Sequence, residues 1–144
     1  MLRSAGQQRA FTLIELLLAG AVLCVLLTIV WPGYEGLLLK GRRLTAVALL
    51  QEAWARQESY KLRWGEYALD LEELGLPEPS YIAAEGLVAE SGDAFYQLRL
   101  DLENDRYVGM SIDPLAVQRA DPCGRLSVGL LGLVKGEPLG EHCP

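Results

Sequence analysis

The sequence predicts an α+β domain carried on a long N-terminal α-helix, and three features of the chain predict it. From Phe11 to Trp31 a run of 21 residues holds a single charge, Glu15. From Tyr34 to about Arg63 apolar residues return at spacings of three, four and seven, as in an amphipathic helix. From Tyr96 onward apolar and polar residues alternate, as in strands of an antiparallel sheet with one covered face.

Composition narrows the function. The chain has 144 residues, a formal net charge of −6 and 51% apolar residues. Much of the apolar content lies in the first run, so roughly 110 residues must fold in water, enough for one modest core. The acidic balance sets nucleic acid aside as a direct partner, because a DNA-binding surface needs clustered Lys and Arg to release phosphate counterions. One tight basic group exists, Lys40, Arg42 and Arg43, and it reads as a solvated helix face just outside a membrane. No internal repeat or low-complexity tract is present.

The first element is a short basic leader, Met1 to Ala10, with Arg3 and Arg9 and no acid. The apolar run that follows spans about 31 Å as a helix, close to the roughly 30 Å hydrocarbon core of a bilayer. Pro32 comes next, where the missing N–H and the ring clash predict a kink. An ordinary secretory signal has a shorter apolar centre and a small-residue cleavage site, which Val30-Trp31-Pro32 does not supply. A plain signal anchor fits the length and leaves Glu15 unexplained. Glu15 itself has two readings. Thr12-Leu13-Ile14-Glu15 has the form of a capping box that satisfies the helix start locally. Alternatively, the carboxylate answers a positive charge on another subunit, which would offset its cost of insertion in hydrocarbon.

In the second element, Leu37, Leu44, Val47, Ala48, Gln51, Trp54, Ala55 and Leu62 form the stripe expected to face the sheet. Gly65 to Gly92 is expected as a connection with a short helical turn at Leu69–Leu74. Tyr96, Leu98, Leu100 and Leu102 make one strand, Asn104-Asp105 a tight turn, and Val108, Met110 and Ile112 the return. Leu126, Val128 and Leu130 make a third strand and Leu133-Val134 a short fourth. Trp54 and Trp64 read as core or neck packing, and Tyr81 and Tyr96 as candidate exposed contacts.

Cys24 lies inside the apolar run as a small unpaired apolar residue. Cys123 and Cys143 sit in a Gly- and Pro-containing tail behind a membrane segment, which predicts a disulfide and an oxidising compartment. The lone His142 reads as an exposed tail residue, with no zinc-ligand spacing around it. Asp113, Asp121, Glu137 and Glu141 lack the spacing of a calcium loop, so no metal and no cofactor is expected. Phosphate loops, GxSxG and HExxH are absent, and the chain does not read as an enzyme.

The segment R-A-F-T-L-I-E-L resembles the class III signal of type IV pilins and pseudopilins. The resemblance implies a cut by prepilin peptidase between Ala10 and Phe11, N-methylation of Phe11, and Glu15 as the assembly glutamate. Ala10 stands where the family usually has Gly, and no Gly lies between Cys24 and Trp31, where pilin helices often loosen. A-R-Q-E-S-Y (Ala55–Tyr60), W-G-E-Y-A (Trp64–Ala68) and D-P-C-G-R-L-S-V (Asp121–Val128) resemble the minor pilins of the PilE group. By that likeness Cys123 and Cys143 bound the family's disulfide loop, worth roughly 3 kcal/mol in the chain-entropy model.

The resemblance implies a pilin fold with three parts: a leader at 1–10, a transmembrane and assembly helix at 11–33, and a periplasmic globular domain at 34–144. It implies a minor pilin supporting pilus biogenesis, twitching motility, adhesion or DNA uptake. The implied partners are major and minor pilins, prepilin peptidase, the inner-membrane assembly platform, and lipid before assembly. The protein would sit in the inner membrane and then in an extracellular pilus. Two rivals remain: a pseudopilin of a type II secretion system, and a membrane-anchored periplasmic module that never polymerises.

Overall fold

A computed structural model describes residues 12–137 and Cys143. Helix α1 is continuous over Leu13–Trp64. It stops at Gly65, whose φ of 85° lets its N–H turn back onto the Lys61 carbonyl at 2.8 Å. The chain divides into two compact units, Met1–Leu37 and Leu38–Pro144.

In the first unit, the residues from Leu13 to Ile29 are exposed on every side of the helix. No single helix is long and apolar enough to cross a membrane, but Leu13–Ile29 together with Gly33–Trp64 meets the requirement by length and composition. Pro32 has its backbone within α1, and its side chain lies outside the described residues, as does any kink it imposes.

The second unit packs α1 from Leu38 onward against a six-stranded antiparallel sheet in the order β2-β1-β3-β4-β5-β6. The strands are β1 (Ser80–Ala83), β2 (Gly86–Val88), β3 (Tyr96–Glu103), β4 (Arg106–Pro114), β5 (Arg125–Gly129) and β6 (Val134–Glu137). Leu50, Ile82, Tyr96, Leu98, Met110, Ile112, Leu126 and Val128 are the fully buried centre of the core. The Asn104-Asp105 turn forms as expected, with both residues at positive φ, 51° and 57°. Cys123 and Cys143 are joined as a disulfide, and Cys24 is free and exposed. The α+β pilin arrangement implied by the resemblance is therefore present.

Several expectations are corrected. The face of α1 against the sheet is Arg43, Ala46, Leu50, Ala53 and Gln57, all buried. Of the expected stripe, Leu37, Leu44 and Leu62 are 70%, 62% and 88% exposed, Ala48, Gln51 and Ala55 are exposed, and Val47 and Trp54 sit half-buried at its edge. The helix carries two apolar stripes, and polar residues at both ends of the buried one hide it from a periodicity count. Gln57 is buried because its amide pairs with the Ala68 backbone in both directions, at 2.8 and 3.0 Å.

The sheet departs from strict alternation at one point. The register shifts between Asp101 and Leu102, so Leu102 pairs with Tyr107 and Val108 is the extra residue. Tyr107 then enters the core, while Leu102 and Val108 are 45% and 39% exposed. Leu130 falls beyond β5 and is also exposed. The expected connection between helix and sheet contains β1, β2 and a 3-10 turn at Glu72–Leu74. Tyr96 is fully buried and Tyr81 half-buried, whereas Trp64 is 65% exposed beside Tyr60 rather than packed in a core.

Candidate assembly site

The start of α1 is built by Thr12 and Glu15. Glu15 Oε2 accepts the Thr12 N–H at 3.0 Å and the Thr12 hydroxyl at 2.9 Å, and the Glu15 N–H reaches Thr12 Oγ1 at 3.3 Å. This is the reciprocal capping box. It uses one carboxylate oxygen; Oε1 has no partner among the described residues. Glu15 also heads a shallow apolar groove on the helix surface lined by Leu18, Ala19, Val22, Leu23 and Leu26. The two readings of Glu15 are thus compatible: local capping holds the carboxylate in place through Oε2 and, among the described residues, leaves Oε1 without a partner. Ala10 and Phe11, the implied cleavage and methylation positions, lie outside the described residues, as do Glu141 and His142.

In the globular unit the residue set that matters for assembly is a buried clasp between α1 and the disulfide. Arg43 donates to Asp121 Oδ1 at 2.8 Å and also contacts Cys123 Sγ. The Cys123 N–H donates to the same Oδ1 at 3.0 Å. Gln118 donates to the Leu39 carbonyl at 3.0 Å, to Asp121 Oδ2 at 2.9 Å and to the Tyr96 hydroxyl at 3.1 Å. Burial pushes the Tyr96 phenol up to about 12, and the Asp121 charge adds to the rise. Arg43 is therefore not part of a solvated basic face. Of its two companions, Lys40 is exposed and Arg42 lies over the Phe95 ring at 5.8 Å. The sequence reading missed the clasp; its one signal was Asp121 two residues before Cys123.

Of the four carboxylates Asp113, Asp121, Glu137 and Glu141, the first two have other partners. Asp113 pairs with Arg125 at 3.0 Å and Arg99 at 3.7 Å, and Asp121 is held by Arg43. Among the described residues no three His, Cys, Asp or Glu side chains gather as a metal ion requires.

An apolar helical segment exposed on all sides, a carboxylate capped in its first turn, and a small α+β unit with a disulfide-closed tail together define a subunit of the pilin class. The family described as type IV minor pilin ComP, DNA uptake sequence receptor, matches residues 32–127, and the prokaryotic N-terminal methylation motif matches residues 6–31. The first match spans more than half of the chain, which belongs to this family of type IV minor pilins. None of the curated proteins compared with the chain matches it. As a type IV pilin it interacts with other pilins and the pilus machinery, anchored in a membrane before it enters the pilus. The family's description also names DNA, the partner that net charge had set aside.

Proposed function

We propose that this minor pilin is cut between Ala10 and Phe11, methylated on the new Phe11 amine, and admitted to the filament when Glu15 meets the free amine of a neighbouring subunit. The observation that carries this reading is a Glu15 fixed by Thr12 through Oε2, whose Oε1 has no partner among the described residues. An ion pair in an apolar surround adds little net stability, yet a misregistered subunit leaves two unpaired charges there and loses several kcal/mol. The pair thus selects register, and the apolar faces supply cohesion. The C-terminal unit lies on the periplasmic side, a placement supported by the Cys123–Cys143 disulfide. The role is structural, with no catalytic step assigned to the chain.

Mass spectrometry of the mature protein tests the first part: a chain beginning at methylated Phe11 supports it, and an intact Met1 refutes it. Glu15→Val tests the second. It should leave the protein stable in the membrane and absent from sheared filaments; normal incorporation would end the charge-pairing role.

DNA uptake is the process this reading favours, because the family described as a DNA uptake sequence receptor matches residues 32–127, most of the globular unit. The chain's charge of −6, with Arg99 and Arg125 partly neutralised by Asp113, implies few phosphate contacts. Any direct binding should therefore show a shallow salt slope. Fluorescence anisotropy of duplex DNA across a salt series, beside transformation of a deletion strain, separates a receptor from a subunit that serves uptake only through the filament.

A further inference from the structure

The disulfide joins two sulfurs in unlike surroundings. Cys123 is 1% exposed, whereas Cys143 is only partly buried. Cys123 is seated by contacts that owe nothing to the bridge. Its N–H donates to Asp121 Oδ1 at 3.0 Å, and the Gly124 N–H closes the same turn on the Asp121 carbonyl at 3.1 Å. Its Sγ accepts from the Arg43 guanidinium, which also donates to Asp121 Oδ1 at 2.8 Å. Cys143 has no hydrogen-bond or charge partner among the described residues. Its seat is steric: a Cβ on Gly136 would lie 3.0 Å from the Cys143 Cβ, so the bare glycine of β6 makes room for it.

Thiol–disulfide exchange depends on access to the attacked sulfur and on how well the leaving sulfur carries negative charge. Cys143 offers the access. Cys123 offers the leaving group, because a neighbouring arginine favours the thiolate over the thiol. The charged and titratable groups around Cys123 are Arg43 of α1, Asp121 of its own loop and, through Asp121, the Tyr96 phenol of β3. Gly136, the β6 residue against it, adds none. The Asp121 carboxylate opposes a negative sulfur, but the group in contact with that sulfur is the guanidinium.

We propose that the bridge has a fixed polarity: an external redox partner engages the Cys143 sulfur, and Cys123, held as a thiolate by Arg43, is the sulfur that closes the bridge and that leaves when it opens. The partner is the protein disulfide of a thiol oxidase in the oxidising compartment. In closure, the Cys143 thiolate attacks one sulfur of that disulfide, and the other leaves as a thiolate. The Cys123 thiolate then attacks Cys143 Sγ, and the oxidase sulfur bound there leaves in turn. Two electrons pass to the oxidase, and the two protons given up by the cysteines end on its two thiols. Reduction by a small thiol runs the last step backwards, with Cys123 as the leaving thiolate. The inference concerns how the globular unit is completed and stands apart from the register role of Glu15.

The test uses the full-length chain in detergent micelles with Cys24→Ala, so that only the bridge responds. The oxidised chain is exposed to reduced glutathione and quenched with acid before exchange is complete. It is then unfolded, and the freed thiol is labelled with N-ethylmaleimide. Peptide mass spectrometry should find glutathione on Cys143 and maleimide on Cys123; glutathione on Cys123, or equal amounts on both, overturns the polarity. With Cys143→Ser added, the ultraviolet absorbance of the Cys123 thiolate should appear at a lower pH than that of a free cysteine, and a midpoint at or above the ordinary value overturns the role of Arg43. The opening rate gives a sign that loosened packing would not. Arg43→Gln should slow release of Cys123 about tenfold at neutral pH, Arg43→Lys should recover most of the rate, and Asp121→Asn should raise it by leaving the guanidinium charge to the sulfur. A merely structural role predicts faster opening in all three, and that result removes Arg43 from the step.

Discussion

Asp121 accepts hydrogen bonds or charge from Arg43, Gln118, Tyr96 and the Cys123 amide, and four donors on one buried carboxylate make it the most exacting residue of the globular unit. Asp121→Ala would strand the Arg43 guanidinium in the core, and such a broken pair costs about 3–5 kcal/mol. Denaturant unfolding of the oxidised protein should show that loss, and the double variant Arg43→Met with Asp121→Leu should recover much of it; equal losses in both would refute the pairing. Apart from the place of Asp121 two residues before Cys123, none of this was legible in the sequence. Arg43 stood among Lys40 and Arg42 as one of three cations, and only the helical phase relative to the sheet separates the one that is buried. Glu15 was legible, because five adjacent residues of the signal carry both its position and its cap.

α1 shows what periodicity can and cannot tell. Its existence and limits followed from the apolar run, the repeat beyond it, and Gly65. Its phase did not, because Ala46, Leu50 and Ala53 compete with a longer set of leucines for the inward side, and bulky Leu37, Leu44 and Leu62 look more like a core than alanines do. Substitution makes the phase measurable. Leu50→Ala should cost about 2–5 kcal/mol by opening a cavity, while Leu44→Ala should change thermal stability by no more than about 0.5 kcal/mol, as at an exposed site. Similar losses at the two positions would mean that the helix is turned the other way. Gly132→Val should also destabilise, since it forces a β-branched residue to the left-handed φ of 71° and drives a Cβ into Trp54. β3, β4 and their turn were readable from alternation. The extra residue Val108 was not, and it reversed which of Tyr107 and Val108 is inside. β1 and β2 are four and three residues long, too short for alternation to register.

At the scale of the molecule, two buried phenols set a limit on alkaline stability. Tyr96 is held at about 12 and Tyr107 is raised as well, both chiefly by burial. The folded state holds these protons more tightly than the unfolded chain, where the phenol titrates near 10. Stability from this source is therefore full below pH 10 and falls as the pH rises toward 12. A thermal melt series across that range should show the decline, and Tyr96→Phe should flatten it; an unchanged slope would remove Tyr96 as the cause. The clasp also has a mechanical side. A strand of pilus under tension pulls on each subunit along α1, and the helix is fastened to the rest of its unit near Leu39 and Arg43 by Gln118, Asp121 and, through Cys123, the covalent bridge. Force entering at the anchored end would thus meet a crosslink within the first turns of the globular unit, before reaching the strands, so thiol reduction should lower the load at which a subunit is drawn out of shape.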